Sequence, residues 1–141
     1  MCGITGIIED KENTDLLKEM CKQIEHRGPD GTSIYVHKNF SMGHVRLSVI
    51  DLDTGDQPIY NEDKSLSITF NGEIYNYQKT REELIERGHT LYTKSDTEVI
   101  LHLFEEKGTE CFKDLNGYFA FALVDHKRDE MYLVRDQFGI K

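Results

Sequence analysis

Two stretches of this chain fold back on themselves within a few residues. "SIYVH" and "FSMGHVRLSVI" meet around Lys38–Asn39, and "YFAFALVD" and "EMYLVRD" flank "HKRD". Strand-forming runs joined by a short polar connection read as hairpins. Hairpins commit a chain to antiparallel sheets, since parallel pairing needs a crossover of a dozen or more residues. Helical patterns lie between these runs, which predicts an α+β arrangement of sheets covered by helices.

The remaining elements follow from local signals. Ile4, Ile7 and Ile8 predict a first strand starting at Cys2. Leu16, Leu17, Met20, Cys21 and Ile24 recur at helical spacing and predict a helix over about 14–25, with Cys21 in the core. Gly28, Pro29 and Gly31 end it. "DLDTGDQP" reads as a loop and "SLSITF" as a strand running into "NGEIYN". A helix over about 77–87 stops at Gly88, and "HTLYT" reads as a short strand. In "SDTEVILHLFEEKG" Ser95 and Glu98 have capping-box spacing; Ile100, Leu103 and Phe104 form the helix's apolar face and Gly108 stops it. The 141 residues read as one domain, 1–141.

Charge and composition narrow the function. With 17 Lys+Arg against 26 Asp+Glu, the net charge of −9 argues against nucleic acid as a partner. The start of the chain lacks the basic, then apolar, character of a signal peptide, and no apolar run is long enough to cross a membrane, so the expected location is cytoplasmic. Cys2, Cys21 and Cys111 are widely spaced and odd in number, which does not suggest a disulfide framework. The six histidines are scattered, and no metal site is expected.

Cys2 is the residue with chemistry to offer. Removal of Met1, which a small second side chain permits, would leave a thiol and a free α-amine on one residue. The amine titrates near pH 8, so nucleophile and general base come together, as in N-terminal threonine hydrolases. The plain alternative is a small buried residue that starts a strand. Attack on an amide also needs two fixed donors for the oxyanion. Asn71 offers its side-chain NH2 and Gly72 an unshielded N–H, although Asn-Gly is also a common turn pair. A zwitterionic substrate needs a cation and an anion. Arg46 suits a carboxylate, if it is not simply on a solvent face. Asp96 suits an ammonium, while also complementing a helix N-terminus.

"MCGITGI", "HRGPDG", "RLSVIDL…QP", "NGEIYN", "SDTEVIL" and "VRDQFGIK", in this order, resemble the amidotransferase domain of glutamine-hydrolysing asparagine synthetases. The resemblance spans the chain. It implies an N-terminal-nucleophile hydrolase fold, two antiparallel sheets sandwiched between helical layers. It implies glutamine hydrolysis through a thioester, with Cys2 as nucleophile and base, and Asn71 and Gly72 as oxyanion hole. Arg46 would hold the α-carboxylate and Asp96 the α-ammonium, with Glu73 and the backbone of Leu47, Ser48, Val49 and Ile50 lining the site. Ammonia would pass to a synthetase domain or partner chain, and a homodimer is compatible with this. The family continues past "FGIK", so the last strands of the domain and the synthetase domain are expected to be missing. ATP and magnesium would belong to that absent domain, because neither G-x-x-x-x-G-K-[ST] nor "SGG" occurs here.

Two other readings stay open: a non-catalytic glutamine-binding or assembly module, and the amidotransferase half of a relative that amidates another acceptor. A structural α+β domain with an inert Cys2 is the plainest.

Overall fold

A computed structural model of the chain describes residues 2–10, 13–48 and 55–141. Its elements are β1 (Gly3–Ile8), α1 (Thr14–Gln23), β2 (Gly31–His37), β3 (Phe40–Arg46), β4 (Ile59–Tyr60), β5 (Leu66–Ile74), α2 (Tyr77–Glu86), α3 (Glu98–Lys107), β6 (Gly117–Asp125) and β7 (Glu130–Arg135). Both hairpins form, as β2–β3 and β6–β7. The strands make two antiparallel sheets, ordered β1-β3-β2 and β4-β5-β6-β7. No helix among the described residues is long and apolar enough to cross a membrane.

Period-two alternation builds the layers. Along β5, Leu66, Ile68 and Phe70 join Phe119, Phe121 and Leu123 of β6 in a core with Val99, Ile100, Leu101, Leu103 and Phe104 of α3. The alternate residues face the first sheet, where Phe40 and Met42 of β3 meet Ala122 and Val124 of β6. Thr69 Oγ1 donates to Met42 Sδ across that interface at 3.4 Å. On the far face of the first sheet α1 buries Leu17 and Cys21. It can approach because β3 has Gly43 there, where a Cβ would stand 2.4 Å from Cys21 Sγ. The order is helix, sheet, sheet, helix.

Several local expectations change. "HTLYT" forms no strand: the Tyr92 and Thr93 N–H groups donate to the Glu98 carboxylate at 2.9 and 2.7 Å, which replaces a strand partner. Glu98 is therefore unavailable for a capping box. Ser95 Oγ does accept from Thr97 N at 3.1 Å, but Ser95 N donates to Thr93 Oγ1 at 3.2 Å. The expected apolar face of α3 is broader, since every residue from Glu98 to Phe104 is buried. Leu16, at helical spacing with Cys21, is 47% exposed. β3 ends at Arg46, short of the predicted Ile50, and β4 is a two-residue strand with no readable periodicity.

Candidate active site

The pairing of β1 with β3 positions Cys2. Gly3 lies opposite Val45, so Cys2 falls beside the end of β3. There Leu47 N donates to Cys2 Sγ at 3.3 Å, and the thiol donates to Leu47 O at 3.5 Å. Arg27 Nε donates to Cys2 O at 3.2 Å and ties the start of the chain to the segment after α1. Cys2, Arg46, Leu47, Asn71, Gly72, Glu73 and Asp96 line one cleft of about 100 Å³, together with Gln57, Ser95, Thr97 and Tyr118.

The edge of β5 explains the floor of this cleft. N–H groups two residues apart point to the same edge of a strand. The edge of β5 away from β6 meets β4 only at Ile68 and Ser67. Beyond that, side chains take over from a strand: Phe70 N donates to Gln57 Oε1 at 2.5 Å, and Ile74 N donates to Asp96 Oδ2 at 2.9 Å. Gly72 N–H lies on the same edge between these two. A Cβ on Gly72 would come within 2.1 Å of Tyr118 O, so no larger residue fits here. "NGEIYN" is thus mostly strand, and the turn alternative for Asn71–Gly72 does not apply. Asn71 is 8% exposed, and its Oδ1 finds no hydrogen-bond partner among the described residues.

The charges are arranged around this floor. Arg46, its side chain 12% exposed, pairs with Asp56 through Nη1–Oδ1 at 2.5 Å. It therefore does not lie on a solvent face. Burial pushes the Asp96 carboxyl above its ordinary pKa, partly offset by the Ile74 N–H it accepts. Tyr118 OH donates to Glu73 Oε2 at 3.1 Å, and its pKa is raised, first by burial and then by that carboxylate. His44, two residues before Arg46 and fully buried, is pushed down to about 4 by burial, so it is neutral near pH 7.

The structure thus brings together Cys2, Arg46, Leu47, Asn71, Gly72, Glu73 and Asp96. Ser48 does not line the cleft; its N–H donates to Asp30 Oδ2 at 2.7 Å. Val49 and Ile50 lie outside the described residues. Sequence reasoning assigned no role to Arg27, Gln57 or Tyr118. The first two lie inside the quoted "HRGPDG" and "…QP" stretches, which was the signal available. Nothing in the pattern of β6 marks Tyr118.

Comparison with known proteins agrees. The family described as glutamine amidotransferase domain matches residues 1–141. The chain is 43% identical to asparagine synthetase B [glutamine-hydrolyzing] of Escherichia coli (strain K12) over 144 residues, covering 99% of this chain and 26% of that protein. It is 40% identical to asparagine synthetase [glutamine-hydrolyzing] 3 of Arabidopsis thaliana, covering 99% and 25%. The chain therefore spans about a quarter of the length of these relatives. The fold matches a glutamine phosphoribosylpyrophosphate amidotransferase from B. subtilis with a TM-score of 0.80 at 22% identity, covering 98% of this chain and 38% of that one. Matched along its whole length and carrying that family's fold, the chain belongs to the glutamine amidotransferase domain family.

Proposed function

We propose that this chain hydrolyses the side-chain amide of glutamine to glutamate and ammonia. After Met1 is removed, the Cys2 α-amine takes the thiol proton and Sγ attacks the amide carbon. The carbonyl oxygen becomes an oxyanion, held by Gly72 N–H and Asn71 Nδ2. The C–N bond then breaks, and the leaving nitrogen takes the proton from the amine. Water cleaves the thioester, which returns the thiol and releases glutamate. Arg46 binds the α-carboxylate and Asp96 the α-ammonium. Glu73 and Leu47 line the site.

The observation that carries this reading is the edge of β5. Gly72 N–H lies between two N–H groups that are already satisfied, in the same cleft as Cys2. Pre-set donors of this kind provide the largest single stabilisation in acyl transfer. That relatives are named glutamine-hydrolysing asparagine synthetases supports delivery of the ammonia to a synthetase half; on this reading aspartate would be the acceptor, and ATP and magnesium would belong to that half. The site lies in the cytoplasm on this reading.

The test is the intact mass of the purified chain after exposure to a glutamine analogue carrying an electrophilic diazoketone. One adduct on a species lacking Met1, blocked by excess glutamine, is the expected result. Retained Met1, or an unreactive Cys2, would reduce the chain to a non-catalytic module.

A further inference from the structure

At the opposite end of α3 from Asp96, three segments converge on a cluster of histidines and glutamates. Glu62 comes from the β4–β5 connection, His89 from the segment after α2, and His102 and Glu105 from α3. His102 is fully buried, and His89 is 18% exposed at its side chain. Their Nδ1 atoms face each other at 3.2 Å. Glu105 Oε2 lies 2.9 Å from His102 Nδ1 and 3.4 Å from His89 Nδ1. Glu62 Oε2 lies 3.8 Å from His102 Nδ1.

The outer nitrogens determine what the inner ones can do. Glu106 Oε1 stands 3.1 Å from His89 Nε2, and Glu98 Oε1 stands 3.7 Å from His102 Nε2. The Glu106 carboxylate holds the His89 ring proton on Nε2 and leaves its Nδ1 bare. Glu98, at 3.7 Å, is too far to do the same for His102 Nε2, which has no hydrogen-bond partner among the described residues, so the His102 proton sits on Nδ1 and is donated to Glu105 Oε2. A divalent cation taking the place of that one proton would meet two imidazole nitrogens and two carboxylate oxygens. Zinc binds imidazole nitrogen and carboxylate oxygen at about 2.0–2.2 Å in a tetrahedron, which places ligand atoms about 3.3–3.6 Å apart. The four separations of 2.9, 3.2, 3.4 and 3.8 Å lie on either side of that range.

We infer that His89, His102, Glu105 and Glu62 form a structural site for a divalent cation of the zinc class. Two supports behind the ligands fit this. Asn61 Nδ2 donates to Glu105 Oε1 at 2.7 Å, which leaves Oε2 for the metal, and Arg87 Nη1 holds Glu106 Oε2 at 2.7 Å. Glu62 is exposed and opens the site to solvent. The chemistry was hidden in the sequence because its ligands are spread over 44 positions; only the approach of three segments assembles them. A bound ion would clamp α3 to the β4–β5 connection. It would also hold, through Glu98, the Tyr92–Thr93 backbone that leads to Asp96.

The test is a Co2+ titration of the chelator-washed chain, in a Cys2→Ala background so that the nucleophile cannot bind metal. One equivalent with the intense visible bands of four-coordinate Co2+, displaced by Zn2+, is expected. His89→Ala should lose the spectrum, and Glu106→Gln, which keeps every ligand, should weaken binding by about 10- to 100-fold. Zn2+ should raise the melting temperature of the wild-type chain and leave that of His89→Ala unchanged. If His89→Ala does not fold, Glu106→Gln decides. The inference is overturned by weak six-coordinate spectra, by Co2+ binding equally to both variants, or by a melting temperature that responds to protons and not to Zn2+.

Discussion

Two asparagines lie buried beside β5 and are treated in opposite ways. Asn61, 4% exposed, is fully engaged: Oδ1 accepts from Leu66 N at 2.8 Å, and Nδ2 donates to Asp63, Ser65 and Glu105 at 3.0, 2.9 and 2.7 Å. Asn71, 8% exposed, leaves Oδ1 without a partner among the described residues. Leaving a buried amide unsatisfied costs about 1–3 kcal/mol. A fold that bears this cost at Asn71 while saturating Asn61 separates a group that builds structure from one whose acceptor stays open to a donor on a ligand, beside the Nδ2 that the proposed reading aims at the oxyanion. The edge of β5 repeats the contrast, with a strand and saturated side chains at one end, and at the other Gly72 N–H opening into the cleft.

Substituting the two asparagines tests the contrast most strongly. Asn71→Ala should lower kcat for glutamine hydrolysis by about 10²- to 10³-fold, the usual loss for one oxyanion donor, with little change in melting temperature. Normal turnover by Asn71→Ala would remove it from the oxyanion hole. Asn61→Ala should do the reverse, losing about 1–3 kcal/mol in denaturant unfolding because Leu66 N–H is left unpaired, while kcat holds.

His44 adds a pH axis. Its Nε2 also lacks a hydrogen-bond partner among the described residues, and it lies fully buried in β3, two residues before Arg46. Burial lowers its pKa from 6.5 to about 4. Because the folded value is below the unfolded one, its contribution is complete above about pH 6.5. It is lost as pH falls toward 4, a span worth about 3 kcal/mol. His44→Gln should flatten that part of the stability-versus-pH curve. An unchanged acid limb would place the proton uptake elsewhere.

The same contrast governs what could be read in advance. The hairpins, the three helices and the α+β class were legible from local periodicity and punctuation. Cys2, Asn71, Gly72, Arg46 and Asp96 were named as candidates because each has a group suited to one step of amide chemistry, and the order of the family-like motifs, which also implied the layered sandwich, is what set them apart; the structure places them in one cleft. Gln57 was not, because its role is to replace a strand that β4 is too short to supply. The strand expected at "HTLYT" failed for a related reason: Glu98, read as a cap from its spacing, takes those backbone donors from a distance that no local pattern encodes.

The smallest effect concerns Arg46. Its guanidinium already holds a carboxylate, that of Asp56, whose side chain is 84% exposed, at 2.5 Å. An incoming α-carboxylate has the same charge and shape, so it competes with Asp56 for the Arg46 guanidinium. Asp56 is largely exposed and holds Arg46 through one contact, so the competition is worth about 0.2–1 kcal/mol, and Asp56→Ala should lower KM for glutamine by up to about fivefold and leave kcat unchanged. Added salt, which screens exposed pairs, should narrow the gap between the variant and the wild-type chain. A KM that rises in Asp56→Ala would give Asp56 the opposite role, that of holding Arg46 in position. The cleft would then have the same saturated, structural character at Arg46 that the chain shows at Asn61.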